Sequence, residues 1–191
     1  RAVSFGKPPE SQRAANNLAV LFAQLPLAWD SQRDTLIEAY LAGGGCRILD
    51  MAGLQHEVSR VRTWRLKDYL GKTVRDCTLF SVKRSALRFV ALRREEAGRL
   101  SSLLDAPDDA VRGGQLLKDG RTCTVARATL DERVLVVKRY NLKNARHLLA
   151  RFWRPSRAWH SWREGHRLGF LGIPTPAPLA LLEERVGPLR R

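Results

Sequence analysis

The stretch QLLKDGRTCTVARATLDERVLVVKRY, residues 115–140, decides the reading of the chain. Two turn signals divide it. Asp119-Gly120 separates Gln115–Lys118 from Thr122–Thr129, and Asp131-Glu132 separates the latter from Val134–Tyr140. Asp-Gly between runs of this kind is a hairpin signal, because glycine accepts the positive φ that a tight turn demands. Thr122, Thr124 and Val125 favour strand through their β-branched side chains. Val134-Leu135-Val136-Val137, followed by Lys138-Arg139-Tyr140, is the strongest strand in the sequence. The stretch therefore predicts an antiparallel meander of three strands.

Downstream, Ser156 is placed to cap a helix over Arg157 to Leu171, and Gly172 ends it. Pro174-Thr175-Pro176-Ala177-Pro178 is expected to be extended, since proline and its predecessor avoid helical dihedrals. Leu179 to Leu182 reads as a further short strand before a turn at Gly187-Pro188. Upstream, Asp105-Ala106-Pro107-Asp108-Asp109 breaks a pattern in which Leu87, Val90, Ala97, Leu100, Leu103 and Leu104 recur as in a helix. Val58, Val61, Leu66, Tyr69, Leu70 and Val74 mark another helix before it. Nearer the start, Leu18, Leu21, Phe22 and Leu25 share a helical face. Ser31 with Asp34 resembles a capping box that opens a helix carrying Leu36, Ile37, Tyr40 and Leu41, and Gly43-Gly44-Gly45 stops it. The fold class expected is α+β, with three parts: helices over 1–45, a basic helical connector over 46–112, and a strand-rich part over 113–191.

The 191 residues carry 34 basic and 19 acidic side chains, a net charge of +15, with 44% apolar residues. The apolar share suffices for a packed core. The charge draws polyanions without choosing among nucleic acid, anionic lipid and phosphorylated sugar. Cys46, Cys77 and Cys123 are odd in number and show neither a disulfide framework nor zinc spacing, which fits a reducing compartment. The longest apolar run, Leu18 to Trp29, is interrupted by Gln24 and Pro26 and is too short to span a bilayer. With Arg1 first and Arg191 last, both ends are expected to be cut.

The order strand, turn, strand, turn, strand ending in lysine, helix, Gly-Ile-Pro-Thr-Pro, strand resembles the small lobe of the protein-kinase fold. The helix sequence Ser156 to Leu168 and the stretch Leu171-Gly172-Ile173-Pro174-Thr175-Pro176-Ala177-Pro178-Leu179-Ala180 resemble the Kdo/WaaP-type lipopolysaccharide core kinases. That resemblance implies an ATP-dependent kinase acting on a sugar of the lipopolysaccharide inner core, with ATP and Mg2+ as cofactors. It implies that Lys138 lies across the α- and β-phosphates of ATP, as a rigidly aimed strand lysine can. Such a lysine needs a carboxylate from the neighbouring helix. Glu164 is the only acid there, although the family's glutamate tends to precede the tryptophan, where this chain has Ser161. Either Glu164 takes the role or the ion pair is lacking. The turn Lys118-Asp119-Gly120-Arg121 has one glycine where a protein kinase has three. No H-R-D-like stretch occurs, so no catalytic residue and no metal ligand is assigned within the chain. Magnesium ligands are expected outside it. Ser4-Phe5-Gly6-Lys7, Asn17 to Leu21 and the Ser31 to Leu41 helix resemble the end of the large lobe of the same family, which suggests a tandem protein.

Two runs are rich in cations: Arg60 to Arg88, and Lys138 to Arg167. The resemblance implies a lipid-linked core oligosaccharide as partner and an anionic membrane surface under these runs, each basic residue near anionic lipid adding about 1 kcal/mol. It places the protein in the cytoplasm, peripheral at the inner face of the bacterial inner membrane, with no nucleic acid expected. Two further readings stay open: a basic nucleic-acid-binding module, supported by charge alone, and a pseudokinase or scaffold segment. His147, His160 and His166 share no ligand spacing with the cysteines, and Trp153, Trp159 and Trp162 are expected to pack their helix on the sheet.

Overall fold

The computed structural model describes residues 10–46, 50–141, 155–186 and 189–190. The chain is mixed helix and antiparallel sheet, as the composition of its segments implies. It divides into two compact units. One is built on residues up to Tyr69 with Phe170–Pro174, the other on Leu70–Gly169 and the residues from Thr175 onward.

The first unit is helical. It holds α1 (Ser11–Phe22), a 3-10 turn (Leu27–Gln32), α2 (Arg33–Ala42) and most of α3 (Met51–Lys72). Leu18, Ala19 and Phe22 of α1, Ile37 of α2, and Leu54 and Val58 of α3 form its core. Leu18 and Phe22 occupy the expected face, but Leu21 points outward and is 51% exposed. Ser31 does not cap α2. The 3-10 turn runs into the helix, so Ser31 lies inside it and its hydroxyl donates to the Ala28 carbonyl at 3.4 Å, while Gln32 holds the N-cap position without a side-chain bond. The last turn of α2 passes into Gly43 and Gly44, the latter at φ 84°. Asp30 receives both terminal nitrogens of Arg62 at 2.6 Å, and Arg62 also donates to the Phe22 carbonyl at 3.1 Å. The Arg62 guanidinium, helped by Arg33, holds the Asp30 carboxyl below its usual value. This planar fork ties the end of α1, the 3-10 turn and α3 together, a geometry a lysine cannot reproduce.

The second unit carries two sheets. β1 (Phe80–Arg84), β2 (Arg88–Arg93), β6 (Ala180–Val186) and β7 (Leu189–Arg190) form one, in that spatial order. β3 (Gln115–Asp119), β4 (Cys123–Leu130) and β5 (Arg133–Tyr140) form the other, the meander expected of residues 115–140. Its second turn has Asp131 at φ 47° and Glu132 at φ 64°, the paired positive dihedrals of a type I′ connection. A bulge between Leu116 and Lys118 shifts the β3–β4 register.

Residues 80–93 correct the expectation, within the helical connector over 46–112, of a second helix carrying Leu87 and Val90: they form β1 and β2. Among the described residues there, α3, the short α4 (Ser101–Asp105) and α5 (Pro107–Gly113), and a single 3-10 turn at Arg94–Glu96 are helical. β2 is covered on both faces: Phe89, Val90, Ala91 and Leu92 are all buried. A strand buried on both sides reads as an unbroken apolar run, which spacing alone does not distinguish from helix.

α6 (Arg157–Phe170) lies on one face of the first sheet. Trp162 meets Phe80 edge-on at 6.0 Å between ring centres, His166 meets Phe80 at 5.1 Å, and Trp159 meets Phe89 at 5.3 Å. Two of the three tryptophans thus pack the helix as expected; Trp153 lies outside the described residues. Gly165 allows the close approach of the proline stretch, since a Cβ there would meet Pro178 Cγ at 3.0 Å. The opposite face, Val90 and Leu92 with Ala180 and Leu182, packs on Leu100 and Leu104 and takes Leu130 and Leu135 from the second sheet. The two sheets therefore share one core.

Ser156 caps α6, its hydroxyl accepting from the Trp159 amide at 3.0 Å. The same hydroxyl donates to Glu183 Oε1 on β6, which is buried. Ser156→Ala removes the cap and strands a buried carboxylate, so chemical denaturation is expected to show a loss of about 1–2 kcal/mol. A loss within error of zero would mean that the cap and the carboxylate bond are replaced by water.

Candidate functional site

The face of the second sheet turned away from the shared core is the candidate site. Alternation along β4 and β5 puts Val125 and Arg127 on it, with Val134, Val136, Lys138 and Tyr140 opposite or beside them. Thr124, Ala126 and Ala128, on the other face, are buried. Val134 and Val136 are 52% and 64% exposed. These two β-branched side chains stand open to water opposite Thr129 and Arg127.

Lys138 stands at the edge of that surface. Register places it opposite Val125, and Val125 opposite Lys118, so two lysines flank one valine in a single row across three strands. The sequence singled out Lys138 and missed Lys118, because a bulge that cannot be read from spacing sets the β3 register. Lys138 Nζ lies over the ring of Tyr140, 4.8 Å from its centre. The Tyr140 hydroxyl is hydrogen-bonded to Ser161 Oγ on α6. Tyr140, too, carries no sequence signal beyond ending a strong strand.

Glu164 does not hold Lys138. It is exposed and pairs with Arg167 one turn on, at 3.7 Å. Among the described residues no carboxylate pairs with Lys138. The physical reason is the seat of α6. Its apolar stripe, Trp159, Trp162 and His166, is turned to β1 and β2, which leaves Glu164 at the solvent side of the helix. The ion pair expected between strand and helix is replaced by the Tyr140–Ser161 contact.

The Asp119-Gly120 turn is fastened from the end of β5. Asn141 donates from its side chain to the Gly120 carbonyl at 2.9 Å and to Thr124 Oγ1 at 3.1 Å, and Thr124 donates to Asp119 at 3.2 Å. Arg121 at this turn is exposed. At the other end of β5, Arg133 and Arg99 hold the buried Glu96, whose carboxyl lies below its usual value because of the Arg133 bond first and the Arg99 charge after it. Among the described residues no group of three or more His, Cys, Asp or Glu side chains is placed to hold a metal ion. Among the described residues no helix is long and apolar enough to cross a membrane.

Comparison with protein-family models, with curated proteins and with solved structures found no match.

Proposed function

We propose that this chain supplies the nucleotide-gripping part of an ATP-dependent kinase that phosphorylates a sugar of the lipopolysaccharide inner core. The observation that carries the reading is the open face of β3–β5, which sets exposed valines beside Lys138. Val125, Val134 and Val136 offer a flat cover for adenine, and Lys138, with Lys118 across the row, offers ammonium groups to phosphates. The sequence of elements, a meander, a helix and then β6 and β7, supports the reading, although β6 and β7 join β1 and β2 and not the meander. The sugar, the lipid-linked acceptor and the membrane location come from the resemblance of residues 156–180 to the Kdo/WaaP type. Lys138 orients phosphate. Residues 1–191 hold no H-R-D-like stretch, so binding without turnover is expected of them.

Equilibrium titration of residues 1–191 with ATP, alone and with Mg2+, tests this. Wild type is expected to bind, and Lys138→Met is expected to bind at least about ten-fold more weakly, the worth of one charge-assisted phosphate contact, with an unchanged melting midpoint. Equal affinities would sink the reading. An oligonucleotide affinity that falls steeply with salt and ignores Lys138→Met would favour a nucleic-acid module instead.

A further inference from the structure

We infer that Tyr140 and Ser161 together form the positioning device for Lys138, in place of a carboxylate; the inference rests on the kinase reading of Lys138. A lysine on a strand has four rotatable bonds and sweeps a wide volume unless something fixes its head. Here the fixing group is an aromatic ring. Lys138 and Tyr140 are two residues apart on β5 and so share one face. The ammonium sits over the ring, 4.8 Å from its centre, within the range where the ring quadrupole attracts a cation. The ring is itself tethered. Its hydroxyl is bonded to Ser161, and Ser161 belongs to a helix anchored by buried Trp162 and capped by Ser156.

The chain of contact therefore runs from the packed helix, through a hydroxyl pair and a ring, to the ammonium. This device differs from an ion pair in a useful respect. A carboxylate neutralises the lysine and competes with phosphate for it. A ring face orients the ammonium and leaves its full charge for the ligand. Glu164, turned to Arg167, is not part of it. In this device Tyr140 and Ser161 are positioning residues that act through Lys138.

The test uses residues 1–191 with Tyr140→Phe, Tyr140→Leu, Ser161→Ala and Tyr140→Phe/Ser161→Ala, beside Lys138→Met. ATP affinity is one readout. The other is the NMR position of 13C-dimethylated Lys138, which a ring face displaces upfield whether or not ATP binds. Tyr140→Leu is expected to abolish the upfield displacement and weaken ATP about five- to thirty-fold. Tyr140→Phe and Ser161→Ala are each expected to weaken it about three- to ten-fold, the double variant no further, because both cut the same tether. If Lys138→Met weakens ATP while Tyr140→Leu and Ser161→Ala bind as wild type, the positioning device is refuted and the kinase reading stands. If wild type binds no ATP, or Lys138→Met binds equally well, the kinase reading fails and the inference falls with it.

Discussion

Trp162→Ala is expected to cost the second unit about 3–5 kcal/mol, enough to unfold much of it at ambient temperature. Trp162 is 3% exposed, at the centre of the contact between α6 and the first sheet. Its indole N–H donates to the carbonyl of Thr73 at 3.0 Å, and Thr73 is itself wholly buried. Its ring meets Phe80 and lies 4.2 Å from the ring of His166. Alanine would leave a cavity against the Phe80 and His166 rings and an unpaired buried carbonyl. Trp162→Phe separates the two effects. It fills most of the space and lacks the donor, so it should lose about 1–3 kcal/mol, the cost of one stranded buried acceptor. Urea titration followed by circular dichroism measures both. A loss for alanine under about 1 kcal/mol would mean that α6 is not seated on β1 and β2 as described.

Acid is expected to weaken the same unit through His166. This side chain is 1% exposed, and burial first, then the positive charge of Arg93, lowers its pKa from the ordinary 6.5 to about 4. The folded state thus prefers the neutral imidazole. Between pH 6.5 and 4 the unfolded chain binds a proton that the folded one refuses. Stability from this group is complete above about pH 6.5 and is lost progressively as pH falls toward 4, where the loss levels off. The full loss is about 2–3 kcal/mol, allowing for partial solvation of the protonated ring. Carboxylates held low by arginine, Asp30 and Glu96, are lost only at lower pH, since their unfolded values lie near 4. The interval from 6.5 to 4.5 therefore reports on His166. Melting midpoints of wild type should fall across it, and those of His166→Phe should stay nearly level. A parallel fall in both would assign the acid sensitivity elsewhere.

The same residues show why some elements are legible and others are not. β3, β4 and β5 follow from their turns and β-branched residues, because a hairpin is set by local dihedral preferences. α6 follows from the Ser156 cap and the Gly172 stop. β1 and β2 were hidden. Arg88-Phe89-Val90-Ala91-Leu92-Arg93 becomes a central strand only because β6, some ninety residues on, pairs with it, and because α6 and α4 cover its two faces. Ser31 failed as a cap for a similar reason: the preceding turn was already helical. At the candidate site, the lysine was legible and its partner was not. Glu164 lies on the helix that reaches the strand, but the rotation of that helix is fixed by Trp159, Trp162 and His166 against Phe80 and Phe89.

The sequence by itself determined the three-stranded meander, the capped helix after it, the lysine at the end of the strongest strand and the excess of positive charge. Those depend on local dihedral preference, side-chain branching and composition, which act over a few residues. Only the tertiary structure decided that residues 80–93 are strands, that α6 turns its acid to solvent, and that Lys138 rests on Tyr140. Each of those depends on which apolar faces are buried against one another, and burial is settled between segments far apart in the chain.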